Sequence, residues 1–470
     1  MSTITAAAAP PRSLHRWWAL GVLALAQFLV VLDASIVNIA LPALGTQLGL
    51  DTAALSWVIT AYVLPFGGLL LLGGRLADRY GHRTLFLIGV TGFIAASALA
   101  GLSVSGGMLL GARALQGASA ALLAPASLAL VTQLFTTAGD RARALGVWGA
   151  VAGIGSAAGV LLGGVLTAVF GWQAVFFVNV PVGAIVLVAI PALVARDAVT
   201  DRTRMDVWGA ITITAGLTAA VAALSFAGLL GWTHPVTLVA SAAAAALLAA
   251  FVVVERRAEH PLVPFRFFRN RDAATGNLVM LLAGGATTAL FFALSVYLQD
   301  VLGYDALTAG ISQLPLAGAL VIVAGVVPSV VARVGLRVTV VAALAVFAGG
   351  LVWLAAAGPH AAFASGLLGP SILIGAGLGA VFITATQLAV DGSSSADSGL
   401  ASGLVNTSQQ IGGALGLAVL GTIAAARTSA SIGAGASAPI ALSDGFSLLF
   451  LSAAGLAVVG AGVATLLRKR

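Results

Sequence analysis

The sequence predicts an all-α membrane protein, on three observations. Of its 470 residues 60% are hydrophobic and 8% charged, against about 25% charged in ordinary soluble domains, so the chain cannot cover a globule with solvated surface. Its apolar residues gather into runs of about 20, the length of helix that crosses ~30 Å of hydrocarbon. Its arginines fall almost wholly on alternate connections between those runs. The 58 glycines fit the same class, because helix association in lipid depends on close packing.

Fourteen such runs follow in order, at 17–41, 55–74, 84–104, 107–134, 144–168, 172–195, 207–230, 236–254, 274–299, 308–331, 337–357, 361–389, 399–425 and 445–467. Gly and Pro inside them are tolerated in membrane helices. With the N-terminus cytoplasmic, the inner segments hold Arg12 and Arg16; Arg75, Arg79 and Arg83; Arg141 and Arg143; Arg196, Arg202 and Arg204; Arg256, Arg257, Arg266, Arg269 and Arg271; Arg333 and Arg337; and Arg468, Lys469 and Arg470. Those are 20 of the 22 basic residues; Arg427 falls outside and Arg113 within the fourth run. A missed helix would reverse every later loop, so the asymmetry predicts fourteen spans with both termini cytoplasmic. The first run is too long for a signal-peptide core and is expected to be retained. The segment 255–272 alternates Arg with Pro261, Leu262, Phe265, Phe267 and Phe268 and reads as an amphipathic or simply orienting linker between eight spans and six. The outer loop 429–443, rich in Gly, Ala and Ser, reads as flexible.

Several chemistries are excluded. There is no cysteine, hence no disulfide or thiolate site. The only lysine is Lys469 and the only glutamates are Glu255 and Glu259, so neither a Walker A loop nor an HExxH zinc site exists, and the five histidines are scattered. No cofactor, metal, nucleotide or nucleic-acid partner is expected; the net charge of +7 is explained by membrane orientation.

An ionisable group in hydrocarbon costs ~2.5–3.5 kcal/mol on insertion scales and marks a candidate site. Asp33 and Arg113 stand out, at depths of ~13 and ~10 Å below the outer surface at 1.5 Å per residue. They form either a fixed ion pair or a proton-exchanging carboxylate tuned by its arginine. Polar residues able to line a cavity are Gln27, Asn38, Tyr62, Gln116, Asn277, Gln313, Gln387, Asn406, Gln409 and Gln410; each alone is more often an interhelical hydrogen bond. Gly155, Gly159 and Gly163 recur every four residues, a stripe for close helix packing.

Gly74-Arg75-Leu76-Ala77-Asp78-Arg79-Tyr80-Gly81-His82-Arg83 matches the signature GxLADxxGxR of the major facilitator superfamily. Arg113 with Gln116 and Gly117 matches its RxxQG pattern, and Leu32-Asp33 through Asn38 to Pro42 matches LDxTxVNxALP, with Ser35 where threonine is usual. With the RRAEHPL linker and Asn406-Thr407-Ser408, nearly the whole chain resembles the fourteen-span drug:proton antiporters of that superfamily. The resemblance implies two six-helix bundles with two inserted helices: residues 1–16 a cytoplasmic tail, 17–195 the first bundle, 196–254 the insert, 255–273 a linker and 274–470 the second bundle with a basic tail. It implies a latch at Gly74, Asp78, Arg79, Gly81 and Arg83, and a hinge between bundles at Gly146, Gly155, Gly159, Gly163 and Gly164. The proline usual in that fifth-span signature is Val160 here, which weakens the case for antiport.

The expected function is export of small amphipathic compounds, drugs or antibiotics, across a bacterial cytoplasmic membrane by proton antiport, with Asp33 and Arg113 coupling the proton and the protein monomeric. One deep acid shared with an arginine favours neutral, anionic or monocationic substrates. The alternatives are a narrow exporter of an endogenous metabolite or lipid, and a sensor or scaffold that moves nothing.

Overall fold

The computed structural model describes residues 13–195, 206–259, 261–263, 265–390 and 398–465, without the side chains of 13, 14, 138, 142, 146, 148–150, 152 and 153. The expected basic residues Arg12, Arg196, Arg202, Arg204, Arg468, Lys469 and Arg470 lie outside the described residues, as does His260 of the linker. The first bundle's helices are α1 (Ser13–Leu48), α2 (Thr52–Tyr80), α3 (His82–Gly101), α4 (Gly106–Leu134), α5 (Ala138–Phe170) and α6 (Asn179–Leu193), the last preceded by one helical turn at Ala174–Phe177. The insert is α7 (Val207–Leu230) and α8 (Pro235–Arg257). After a 3-10 turn come α9 (Arg271–Val296, continued by a π turn), α10 (Ala306–Val334), α11 (Leu336–Ala355), α12 (Leu368–Val390), α13 (Ser398–Gly433) and α14 (Ala438–Thr465). Thirteen helices among the described residues are long and apolar enough to cross a membrane, and α5 adds the shorter apolar run Ile154–Phe170.

The two halves repeat one pattern of neighbours. In the first, α1 packs on α5 and α6, α2 on α4, and α3 on α4 and α6; in the second, α9 packs on α13 and α14, α10 on α12, and α11 on α12 and α14. Local chemistry repeats too. Asp51 caps α2 through Ala54 N at 2.7 Å, and Asp305 caps α10 through Thr308 N at 2.7 Å, each filling an orphan N–H of a first turn. Gly81 (φ +93°) separates α2 from α3 and Gly335 (φ +87°) separates α10 from α11, in a backbone region that a side chain would strain.

The bundles touch through α2 with α13, α5 with α10, and α1 with α9. At the face opposite the start of α1 and the end of α14, Ser295 donates to the Asn38 carbonyl and Gln299 Nε2 to that of Ile39 at 3.0 Å. There Gly164 also faces Ala306, and Gly310 faces the Val160 carbonyl. Of the insert, α7 lies across α2 and α13, while α8 packs chiefly on α7. Its outward residues are large and apolar: Trp208, Trp232, Leu238 and Val239 are exposed, the two tryptophans at opposite ends of α7 as membrane-interface anchors.

Two connections differ from expectation. α8 runs through Glu255 to Arg257, since the Glu255 carboxylate folds back and accepts from Leu262 N at 3.1 Å and Val263 N at 3.2 Å. The loop expected flexible at 429–443 is largely helical: α13 extends to Gly433, and Asp444 of α14 accepts from Ser431 at 2.8 Å and Arg427 at 3.3 Å.

Glycine permits the closest crossings: a Cβ on Gly412 would run into the Leu281 carbonyl where α13 crosses α9, whereas one on Gly455 meets nothing within 4 Å. Gly412→Val is therefore expected to destabilise by about 1–3 kcal/mol or more through overpacking. Thermal unfolding of the detergent-solubilised protein should show a clear loss for Gly412→Val and none for Gly455→Ala.

Candidate functional site

Asp33 is fully buried in the first bundle. Four residues placed by other helices close around its carboxyl. Arg113 and Gln116 lie three residues apart on α4, hence on one face. Arg113 Nη1 donates to Asp33 Oδ2 at 2.5 Å, and Gln116 Nε2 donates to Oδ1 at 3.0 Å. Asn179, opening α6, donates to the same Oδ1 at 2.9 Å. Ser97 of α3 braces the two amides, its Oγ accepting from Gln116 Nε2 at 2.7 Å and Asn179 Nδ2 at 3.3 Å. The carboxyl thus accepts three described hydrogen bonds and donates none.

Arg113 is 1% exposed and equally constrained. Its Nη1 also donates to Gln116 Oε1 at 2.9 Å, and its Nε to the Val58 carbonyl of α2 at 3.1 Å. The guanidinium carbon stands 4.4 Å from the centre of the Tyr62 ring, a cation–π contact worth ~2 kcal/mol when desolvated. Gly117 makes this possible, because a Cβ there would strike the Tyr62 carbonyl and push α2 off α4. A buried ion pair adds little net stability, but removing one partner strands a charge. The five helices α1, α2, α3, α4 and α6 are tied to one another through this cluster.

Of the expected residues, Asp33, Arg113, Gln116 and Tyr62 are brought together, with Tyr62 a 1% exposed wall behind Arg113. The others are dispersed. Asn277 accepts from Ser408 at 2.9 Å inside the second bundle; Asn406 is exposed, donating to the Ser402 carbonyl at 3.1 Å; Gln410 packs at the α2–α13 crossing against Gly67. Gln387 and Gln409 are half-buried. Gln27 Oε1, Asn38 Oδ1 and Gln313 Oε1 are buried without a hydrogen-bond partner among the described residues. A cavity of about 190 Å³ opens elsewhere, where α2, α7, α13 and α14 meet away from the chain's ends, and is lined by Ser56, Ser225, Phe292, Thr422, Thr428 and Phe446 among others. None of the ten expected cavity residues lines it.

The signature segment forms the last turns of α2 and the start of α3: Asp78 Oδ1 of α2 lies 3.0 Å from His82 Nε2 of α3, and His82 Nδ1 lies 3.1 Å from Gln133. The described partner of Asp78 is thus in its own bundle. Arg75 donates to the Pro261 carbonyl of the linker, Arg83 to that of Pro191 at 3.4 Å, and Arg79 lies 5.5 Å over the Tyr80 ring. Gly74 is half-buried against Pro125, and Gly81 carries the turn. The glycine stripe of α5 packs inside its bundle: Gly155 faces Val31, Gly159 lies where a Cβ would come within 2.6 Å of Ser35, and Gly163 faces Ile36. Only Gly164 of the described glycines in this set meets the other bundle. The surroundings of Gly146 lie outside the description.

Asn179 and Ser97 escaped the reading of the sequence. Asn179 had a signal, a single amide in the apolar run FFVNVPVG; Ser97 had none, since serine is common in membrane helices.

The family model described as Major Facilitator Superfamily matches residues 23–417. The chain is 42% identical to the cephamycin export protein CmcT of Amycolatopsis lactamdurans, over 86% of this chain and 84% of that one. It is 40% identical to the puromycin resistance protein pur8 of Streptomyces alboniger, over 92% and 86%. Among solved structures it resembles the POT family transporter PepTSo, with TM-score 0.69 and 15% identity over 96% of this chain and 97% of that one. The nucleoside transporter NupG aligns with TM-score 0.68 and 14% identity, over 97% and 100%. At such identity these two speak for the fold alone.

Arg113→Leu is expected to cost about 3–5 kcal/mol, because Asp33 is left charged and buried. Adding Asp33→Asn should recover much of that loss. A double-mutant cycle on detergent-solubilised protein measures the coupling, expected above about 1 kcal/mol; additive losses would mean that the pair does not interact. Asn179→Ala alone should cost about 1–3 kcal/mol.

Proposed function

Because this chain belongs to the major facilitator superfamily, we propose that it is a secondary active transporter, not an enzyme, that exports small amphipathic compounds across the bacterial cytoplasmic membrane. Its relatives named for the export of cephamycin and resistance to puromycin support the class of cargo. The observation that carries the coupling is the buried Asp33, held by Arg113, Gln116 and Asn179. A structural role alone is filled more cheaply by apolar residues of similar volume.

In this reading the face bearing the start of α1 and the end of α14 is cytoplasmic, where the basic residues concentrate. The first bundle is residues 17–195, the insert 196–254, the linker 255–273 and the second bundle 274–470. The bundles rock against each other at the α2–α13 and α5–α10 crossings: the Ser295 and Gln299 bonds to α1 hold the outer side shut and break when it opens. A proton arriving from outside neutralises Asp33 and releases Arg113 to the acceptors it already shares, the Gln116 amide and the Val58 carbonyl. Gln116 relays the change, since its amide contacts Asp33, Arg113 and Ser97 at once. One charge crossing 100 mV supplies ~2.3 kcal/mol, so the proton motive force serves as the energy source and no cofactor is needed.

The unpartnered amide oxygens of Gln27, Asn38 and Gln313 offer hydrogen-bond acceptors to a substrate bearing N–H or O–H groups. The remaining polar residues of the expected cavity come into reach as the bundles move. Gly164 against Ala306, and Gly310 against the Val160 carbonyl, form the pivot on the α5 side. With valine at 160 the α5 backbone keeps its hydrogen-bond donor there, so motion is carried by sliding at this crossing and not by a proline kink. Gly74, Asp78, Arg79, Gly81 and Arg83 serve as the latch at the cytoplasmic ends. The protein works as a monomer, each chain holding both bundles.

Purified protein in proteoliposomes should release protons when puromycin or a cephamycin is added, and Asp33→Asn should abolish that release while Asn406→Ala reduces it less. Substrate movement with no proton flux would replace antiport by another coupling. A response to one compound alone across a panel of dyes and antibiotics would mark a narrow exporter; none at all, with the protein folded, would leave the sensor or scaffold.

A further inference from the structure

Two acids that play no part around Asp33 meet where α7 begins and α8 ends. Asp206 caps α7, its Oδ1 accepting from Gly209 N at 2.7 Å. Its Oδ2 is buried without a hydrogen-bond partner among the described residues, on a residue only 9% exposed. Glu255, 3% exposed, spends both oxygens on the linker, Oε1 on Leu262 N and Oε2 on Val263 N. Gly209 lies between them: a methyl group there would collide with Asp206 Oδ2 and stand 3.0 Å from Glu255 Oε1. The two oxygens therefore face one small space that only glycine leaves open.

The charged groups acting on Glu255 are Asp206 from α7 and Arg75 from α2. Arg75 also donates to the Pro261 carbonyl, so α2, α8 and the linker converge here. Arg256 and Arg257 on α8 are exposed at the surface. Two carboxylates sharing a buried site do not both ionise readily, and one arginine offsets one of them. A buried carboxyl oxygen with no donor is costly. A single proton shared between Asp206 Oδ2 and Glu255 Oε1 answers both demands, because it leaves the pair one negative charge for the linker amides and Arg75 to meet.

We propose that Asp206 and Glu255 form a proton-binding site, separate from Asp33, whose one shared proton clamps the linker segment 261–263 to α8 and α2. The linker is the covalent tie between the insert and the second bundle, so the clamp sets how firmly that tie is held. The proton is bound at lower pH. As pH rises and it leaves, two negative charges face each other across Gly209, and the hydrogen bonds of Glu255 to Leu262 and Val263 weaken. The site needs no substrate, and it stands whether or not Asp33 exchanges protons.

Infrared spectroscopy of the full-length protein in lipid tests this, through the C=O stretch of a protonated buried carboxyl followed across a pH titration. The band should be present in wild type and in Asp33→Asn, and missing in Asp206→Asn, which keeps an acceptor for Gly209 N. Hydrogen–deuterium exchange at Leu262 and Val263, corrected for intrinsic rate, should rise severalfold in wild type over the pH range in which the band disappears. In Asp206→Asn it should not follow pH. A band untouched by Asp206→Asn, or one lost only in Asp33→Asn, overturns the proposal. So does protection of those amides by sodium or potassium ions with no carboxyl band, which would make this a metal-cation site. If Asp206→Asn does not fold, Glu255→Gln serves, since it removes the other carboxyl of the pair: the band must shift or vanish, and an unchanged band overturns the proposal.

Discussion

Asp33 imposes the constraint on which the first bundle depends. A fully buried carboxylate must be met by charge and by hydrogen bonds, and α1 alone supplies neither. Arg113 brings the charge from α4, Gln116 and Asn179 bring amides from α4 and α6, and Ser97 holds the amides from α3. Arg113 in turn needs the Tyr62 ring and the Val58 carbonyl of α2. Each of these helices has one depth and one rotation that satisfies the cluster, so a polar requirement at one side chain orders a bundle whose apolar surfaces would slide past one another in lipid.

No cluster of that kind appears among the described residues of the second bundle, yet it keeps the same neighbour pattern. There the order comes from close approach. Gly412 lets α13 rest against the Leu281 carbonyl of α9, and Gly375 lets α12 rest against the Leu316 carbonyl of α10. A helix surface without a Cβ accepts its partner in one register, and dispersion over that contact is what lipid cannot replace. The protein thus has one half fixed by a charge and another fixed by shape.

The insert is more than spacing between the halves. Helix α7 bridges α2 and α13, where the bundles already touch, and its cap Asp206 lies across Gly209 from the Glu255 carboxylate that accepts from the linker amides. The signature segment at the end of α2 enters the same region through Arg75. Events at the end of α2 and at the linker are therefore in contact through a single arginine, a short physical route from one bundle to the chain that leads into the other.

Much of this was determined by the sequence itself. Hydropathy sets how many segments leave water, arginine placement sets which connections share a side, and one acid and one arginine alone in hydrocarbon identify the Asp33–Arg113 pair, because burying a charge is too costly to occur without a partner. Period and composition have no such hold on rotation about a helix axis, which is decided by what packs against it. Thus Gly155, Gly159 and Gly163 face α1 within their own bundle instead of the other bundle, Asn277 closes on Ser408, and Asp78 of α2 pairs with His82 across the turn to α3. Asn179 and Ser97 joined the site for the same reason: an amide or hydroxyl becomes part of a network only when helices distant in the chain bring an acceptor within 3.5 Å or so. Asp206 and Glu255, 49 residues apart in the chain, come to either side of Gly209 only because α7 and α8 lie side by side.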